Sequence, residues 1–217
     1  ISFTQAMTLD ASGNLLVGTT TSRGIITTSA ARGVTSGEFT NSVNIVDSTA
    51  GSTAGVGGML VLSGDTNGAS FKQFGAIAGI KENNTATDYA SALVFYNRAG
   101  GASMTERMRL DSSGNLGLGV TPSAWNTYFG IKVIDISNAS FYGASSDANM
   151  LWNAFFNASG QWIYKTSAAS ARYTQAFGQH QWYNAPSGTA GTAISWTQAM
   201  TLDASGNLLV GKTSSAA

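Results

Sequence analysis

The sequence Ile194-Ser-Trp-Thr-Gln-Ala-Met-Thr-Leu-Asp-Ala-Ser-Gly-Asn-Leu-Leu-Val-Gly211 also opens the chain, as Ile1 to Gly18, with Phe3 in place of Trp196 as the one difference. A looser copy, Thr105-Glu-Arg-Met-Arg-Leu-Asp-Ser-Ser-Gly-Asn-Leu-Gly-Leu-Gly119, lies between them. Recurrence of one phrase at intervals of about a hundred residues marks a modular array. Within the phrase, Met7 and Leu9 alternate with Ala6, Thr8 and Asp10, the period of a strand with one buried face. In the middle copy Ala6 and Thr8 become Arg107 and Arg109 while Met108 and Leu110 keep the apolar parity. The Met/Leu side is therefore expected to be buried and the Arg side solvated. Asp-Ala-Ser-Gly-Asn then supplies residues that favour positive φ or bond the backbone through their side chains. The phrase reads as strand, tight turn, strand, a hairpin that closes each module.

Working outward, the first copy ends a preceding module over residues 1–23, and two β-modules are expected over 24–120 and 121–217. Thr19 to Gly37 reads as a link. In the first module the apolar runs Val43–Val46, Met59–Leu62, Phe74–Ile80 and Ala92–Tyr96 are short and separated by turn clusters such as Ser63–Gly68. Asp88–Ala92 could begin a helical turn but runs directly into a strand-like segment. In the second module, after Pro122, Phe129–Ile136 alternates as a strand, and Leu151–Phe156 and Gln161–Lys165 flank Asn157-Ala-Ser-Gly160 as a hairpin. Phe177–Asn184 gives an aromatic strand, and the loop Ala185–Gly191 leads into the closing phrase. Tyr183-Asn184 precedes Met200 as Tyr96-Asn97 precedes Met108, so the two modules are expected to share a fold. No helix of ordinary length is predicted. The fold class is all-β.

The chain has no net charge, and charged residues are 10% of it, against about 25% in ordinary soluble domains. Nucleic acid is excluded as a partner on this ground, because counterion release needs clustered Lys and Arg. An anionic membrane surface is excluded likewise, and no apolar run approaches the roughly 18 residues of a membrane span. Absence of cysteine rules out disulfides and cysteine–zinc sites. Strands with a thin apolar face and few charges need a partner surface, which threefold association supplies without open edges. Because the chain opens with Ile inside a repeat phrase, it reads as a piece of a longer polypeptide.

Glu106-Arg-Met-Arg-Leu-Asp-Ser-Ser-Gly-Asn-Leu-Gly-Leu-Gly119, followed by Val-Thr-Pro-Ser123, resembles a signature of tailed-bacteriophage tail-fibre proteins. In that family Arg-Met-Arg-x-Asp-x-x-Gly-Asn runs into a Gly-Ile-Gly-Thr-Thr-like stretch and a Pro. Thr197 to Gly211 looks like the same element in related fibres, whereas the intervals between copies match only in style. The resemblance implies an elongated homotrimer of parallel chains, joined to other tail or fibre proteins at one end and presenting the other to a host glycan or outer-membrane receptor. It implies a virion component assembled in the bacterial cytoplasm, non-enzymatic and without cofactors or membrane insertion. Runner-up readings are a glycan-degrading tailspike and a bacterial surface adhesin.

No constellation for catalysis stands out. Asp10, Asp111 and Asp203 fall in the turn of the phrase, where they are expected to cap backbone amides, and no other carboxylates show the pairing a glycosidase needs. His180, the lone histidine, is expected to be a strand residue with a satisfied hydrogen bond, and Asp65-Thr-Asn-Gly68 reads as a turn rather than a cation loop. No metal site is expected. Aromatic residues concentrate in the second module, and Trp162, Tyr164, Trp182 and Tyr183 are the candidate glycan or receptor contacts, since flat amphipathic rings suit sugar faces. Packing within and between chains competes for the same residues.

Overall fold

The structure is a computed structural model that describes residues 7–9, 15–17, 45, 47, 53–65, 71–128 and 130–211. Two compact units divide the chain at residue 45. In the first, β1 (Met7–Leu9) and β2 (Leu15–Val17) pair antiparallel, Leu9 opposite Leu15, so the opening phrase is a hairpin. The second unit begins with β3 (Met59–Asp65), β4 (Phe71–Lys81), β5 (Ser91–Arg98), β6 (Met104–Leu110) and β7 (Leu116–Leu118). It continues with β8 (Lys132–Ile136), β9 (Ala139–Gly143), β10 (Asp147–Trp152), β11 (Ala154–Phe156) and β12 (Trp162–Tyr164). Last come β13 (Ser170–Ala176), β14 (Gln179–Ala185), β15 (Thr197–Leu202) and β16 (Leu208–Val210). Among the described residues every regular element is a strand, and Asp88–Ala90 forms no helical turn.

Twelve strands make one sheet in the order β3 to β10 and then β13 to β16, with the β11–β12 hairpin set apart as its own two-stranded sheet. All neighbours are antiparallel except β7 and β8, which run parallel with Leu116 opposite Ile134. Parallel neighbours need a crossover of a dozen or more residues, and residues 119–131 supply it. Strands from 24–120 and from 121–217 thus share a single sheet and meet at this pair.

The turn chemistry of the phrase accounts for its recurrence. In the middle copy the Gly114 amide donates to the Asp111 carbonyl (2.9 Å), the Asp111 amide donates to the Asn115 carbonyl (2.9 Å), and Gly114 sits at φ 80°. This is a three-residue hairpin loop closed by a glycine bulge. The Asp111 carboxylate accepts from the Asn115 amide at 2.7 Å, and Asp203 accepts from the Ser205 and Asn207 amides at 2.9 Å, the expected capping role. Asp10 lies outside the described residues. Asn157 to Gln161 builds the same loop with Asn157 in place of Asp.

The repeat extends into the pairing. Phe95 faces Met108 and Trp182 faces Met200, and in both modules the register slips by one residue at the next position, before Tyr96–Glu106 and Tyr183–Gln198. The residues bulged out are Arg107 and Ala199. Their carbonyls accept from the amides of Gly119 (2.8 Å) and Gly211 (2.9 Å), both at positive φ. A five-strand meander recurs on this pattern: β3 to β7 in one module, and β10 with β13 to β16 in the other. One change within the phrase, Gly117 for Leu209, has a steric cause. A Cβ at Gly117 would stand 2.1 Å from the Val120 carbonyl oxygen, because the crossover folds back over it. Two swaps between copies should therefore behave oppositely. Gly117→Leu is expected to overpack the crossover and cost about 1–3 kcal/mol or more. Trp196→Phe, which installs the residue of the first copy and removes a buried indole N–H that has no partner, is expected to change stability by less than about 1 kcal/mol. Thermal unfolding of the two variants checks both.

Several sequence expectations need correction. The run Leu151–Phe156 is not one strand: Asn153, fully buried at φ 58°, turns the chain out of β10 and into β11. Phe177 (φ 51°) and Gly178 (φ 73°) form the turn between β13 and β14 rather than the start of a strand. β3 runs through Ser63–Asp65, which reads as turn in the sequence, and the rest of that cluster lies outside the described residues, as do Thr19–Gly37 and most of Val43–Val46. β8 starts at Lys132, and Phe129 lies outside the described residues. The expected hairpin around Asn157-Ala-Ser-Gly160 is present. His180 contacts the Tyr173 hydroxyl through Nδ1, as expected of a satisfied strand histidine.

From Arg109 and Thr201 onward the faces of the phrase are reversed, whereas Arg107 is exposed and Met108 and Met200 are partly buried, as expected. Thr201 is 1% exposed and Arg109 half-buried, whereas Leu110 and Leu118 are 43% and 47% exposed. Register decides this. Arg109 pairs with Val94 and Gly117, and Thr201 with Gln181 and Leu209, so both lie on the side that carries the core. That covered side has two clusters: Ala78, Ile80, Ala92 and Val94, and a larger one in which Trp125, Ile131, Val133, Tyr142, Leu151 and Ala154 meet Phe155, Phe156 and Trp162. The crossover and the β11–β12 hairpin form the lid of the larger cluster. The hairpin's edges are covered by backbone bonds from the Asn126 amide to Phe156 and from the Ile194 amide to Trp162, which removes exposed strand edges.

A buried charge fastens this lid to the sheet. One carboxylate oxygen of Asp135 accepts from the Lys165 ammonium (2.8 Å), and the other from the Ser123 amide (2.8 Å) and the Trp125 indole (3.0 Å). Burial pushes the Asp135 carboxyl up, but bonds from Lys165, the Ser123 amide, Ser140 and Trp125 outweigh it and hold the group below the usual carboxylate range. A carboxyl depressed in the folded state contributes stability that is complete above its unfolded pKa and is lost as pH falls through the folded value. Acid melting is thus expected below about pH 4, with Asp135→Asn flattening the slope of Tm against pH.

Candidate functional site

Successive pairings place one apolar row across the uncovered side of the sheet. It runs from Leu93 through Leu110, Leu116, Ile134, Phe141 and Met150 to Tyr173, Trp182, Met200 and Val210. Ten adjacent strands at about 4.8 Å spacing make this row on the order of 40 Å long. A parallel row two residues away carries Leu60, Ile77, Phe95, Met108, Leu118, Ile136 and Trp152. Many of these side chains remain open to water, Met150 at 51% and Val210 at 69%. Isolated apolar residues on a surface need no explanation, but a contiguous patch of this extent marks an interaction surface. Gly143 and Ala148 add no bulk beside the row, which leaves a groove of about 520 Å³ floored by Leu116, Ile134, Phe141 and Met150.

Alternation in the sequence does mark two faces, and the phrase places Met and Leu together on one of them. What it does not reveal is that this face has no cover among the described residues. The apolar character of both parities carries that information: β8 has Val133 on the covered side and Ile134 and Ile136 on the open side. A strand apolar on both sides is normally buried on both sides.

The four candidate aromatic residues separate. Tyr164 is buried, its hydroxyl donating to the Pro186 carbonyl at 2.7 Å, and presents no ring face to a ligand. Trp182 lies on the open side in a stack with Tyr173 (5.1 Å between centroids) and His180. Trp162 and Tyr183 come together on the covered side around Arg172, whose guanidinium carbon lies 4.8 Å and 4.6 Å from their ring centroids. Trp196 completes this cluster at 5.9 Å.

Arg172 is the residue the sequence reading missed. Its Nε donates to Thr174 Oγ1 (2.7 Å), and Thr174 in turn donates to Asn149 Oδ1 (2.6 Å). Among the described residues no carboxylate forms an ion pair with it. Burial pushes its guanidinium down, opposed by Tyr142, Tyr183 and Asp147. Ser170, Arg172 and Thr174 share a parity in β13, and a cation between two small hydroxyl residues is the available sequence signal. No family of known proteins matches the chain, and no match was found among curated proteins.

Proposed function

We propose that this chain is a structural and adhesive segment of a tailed-phage tail fibre, a homotrimer in which the apolar side of the sheet is buried between copies. The observation that carries the reading is the uncovered apolar row spanning ten strands. It supports association because a sheet with a core on one side and an equally apolar second side gains most by covering the latter. Threefold closure uses the same surface on every copy and leaves no growing end. The Arg107-Met-Arg-Leu-Asp-Ser-Ser-Gly-Asn115 signature supports the tail-fibre identity, and the low charge content agrees with a surface solvated by Ser, Thr, Asn and Gly. Attachment to a host surface then proceeds by multivalency, with three chains and several fibres multiplying weak contacts.

Antibody raised against the purified chain tests the assignment. Gold-labelled antibody is expected to decorate the tail fibres of intact particles, and soluble chain to slow adsorption to host cells. Decoration of a bacterial envelope in the absence of phage would instead favour an adhesin, and release of reducing sugar from host polysaccharide would favour a tailspike.

A further inference from the structure

A cleft of about 300 Å³ opens on the covered side, between the sheet and the β11–β12 hairpin, lined by Tyr142, Asp147, Phe156, Trp162 and Arg172 with Ser145 and Ser146 at its rim. Asp147 is fixed by the Tyr142 hydroxyl (2.7 Å) and the Asn149 side-chain amide (2.8 Å), both on the same carboxylate oxygen, so the other oxygen has no partner among the described residues. Arg172 is fixed by its Nε bond and by the rings around it, and its two terminal nitrogens make no hydrogen bond among the described residues. One acceptor and one donor fork, each held rigidly by partners that do not consume its outer capacity, thus face the same space. Phe156 and Trp162, 5.1 Å apart, form an apolar wall beside them.

We propose that this cleft binds one neutral saccharide ring, with Asp147 accepting and Arg172 donating hydrogen bonds to its hydroxyls and Phe156 and Trp162 covering its C–H face. The volume is at the lower limit of small-molecule sites, about 300 Å³, which suits a single pyranose. The charge balance selects the class. One cation and one anion share the cleft, so a uronic or sialic acid meets Asp147 as well as Arg172, whereas polyol hydroxyls satisfy both. Amphipathic rings with a polar edge suit such a ligand. Because the cleft lies on the side opposite the apolar row, burial of that row between copies leaves it accessible. The inference rests on the adhesive reading and names the ligand class for it.

Calorimetric titration of the purified chain with methyl glucoside, methyl galactoside, methyl mannoside and glucuronate tests the site. At least one neutral glycoside is expected to bind saturably with one site per chain, and glucuronate at least tenfold more weakly. Ser146→Trp, at the exposed rim, is expected to block the cleft and weaken binding at least tenfold without altering the circular dichroism spectrum. Asp147→Asn, the second variant, is expected to weaken it comparably. No saturation with any neutral glycoside, tighter binding of glucuronate, or full binding by Ser146→Trp would overturn the proposal. If the chain still labels tail fibres and slows adsorption, only the site fails and the fibre reading stands.

Discussion

Asn153→Ala is expected to destabilise the chain by more than about 4 kcal/mol, a range single substitutions reach only through a specific defect. Asn153 is completely buried, and the two N–H groups of its side-chain amide are shared among the carbonyls of Thr166 (3.0 Å), Ala168 (3.1 Å) and Ala169 (3.0 Å). Its carbonyl oxygen accepts from the Thr166 amide (2.7 Å) and hydroxyl (2.8 Å). One side chain therefore satisfies the loop that returns from the lid hairpin to β13. Alanine leaves the Thr166 amide and hydroxyl and the Ala169 carbonyl without that partner, at about 1–3 kcal/mol for each that water cannot reach, while the Thr166 and Ala168 carbonyls keep backbone bonds from the amides of Ala168 (2.9 Å) and Gly188 (3.3 Å). It also takes up φ 58°, a left-handed conformation costing non-glycine residues roughly 1–2 kcal/mol and one that asparagine tolerates better. Asn153→Gly loses the same bonds without the backbone strain and should be the milder variant. Thermal unfolding at fixed protein concentration measures both, since the proposed assembly would make Tm concentration-dependent. An alanine variant within 1 kcal/mol of the parent would show that the loop needs no such tether.

Met150→Lys is expected to abolish association while leaving the sheet folded. Met150 stands in the middle of the apolar row, opposite Phe141 on one side and Tyr173 on the other, and is half exposed in the single chain. On a solvated face a lysine there would change stability by no more than about 0.5 kcal/mol. Between three copies it would desolvate three ammonium groups, and no carboxylate lines the groove around Met150. Each desolvated charge costs several kcal/mol, and the penalty recurs in every copy. Met150→Leu, which keeps size and polarity, should assemble normally. Sedimentation velocity with circular dichroism separates the outcomes, and an unchanged assembly in the lysine variant would place this face in water.

Much of the fold was legible because the phrase encodes its own turn. Asp111, Gly114 and Asn115 each have one backbone task, and their order specifies the hairpin without reference to the rest of the chain. β9 and β13 were not legible. Their inward positions include Ser140, Ser170 and Thr174, small polar residues satisfied inside the protein, and Arg172 in β13, so the apolar alternation that marks a strand is interrupted. The direction of the faces was illegible for a different reason. A period of two separates Met108 from Arg109, but which of them is covered depends on long-range pairing with Val94 and on the crossover above Gly117. Aromatic content did point to the second module, yet composition could not tell Tyr164, sealed against Pro186, from Trp162 beside a cleft. Arg172 escaped notice because its setting is made by rings from β12, β14 and the segment before β15, far apart in sequence.

The mass of the unmodified chain in solution tests the central claim most directly. Light scattering at micromolar concentration is predicted to give three times the chain mass, held on dilution, because the apolar row of each copy is then covered by the others. A stable, soluble species with the mass of one chain would contradict it, since that row would then lie permanently in water.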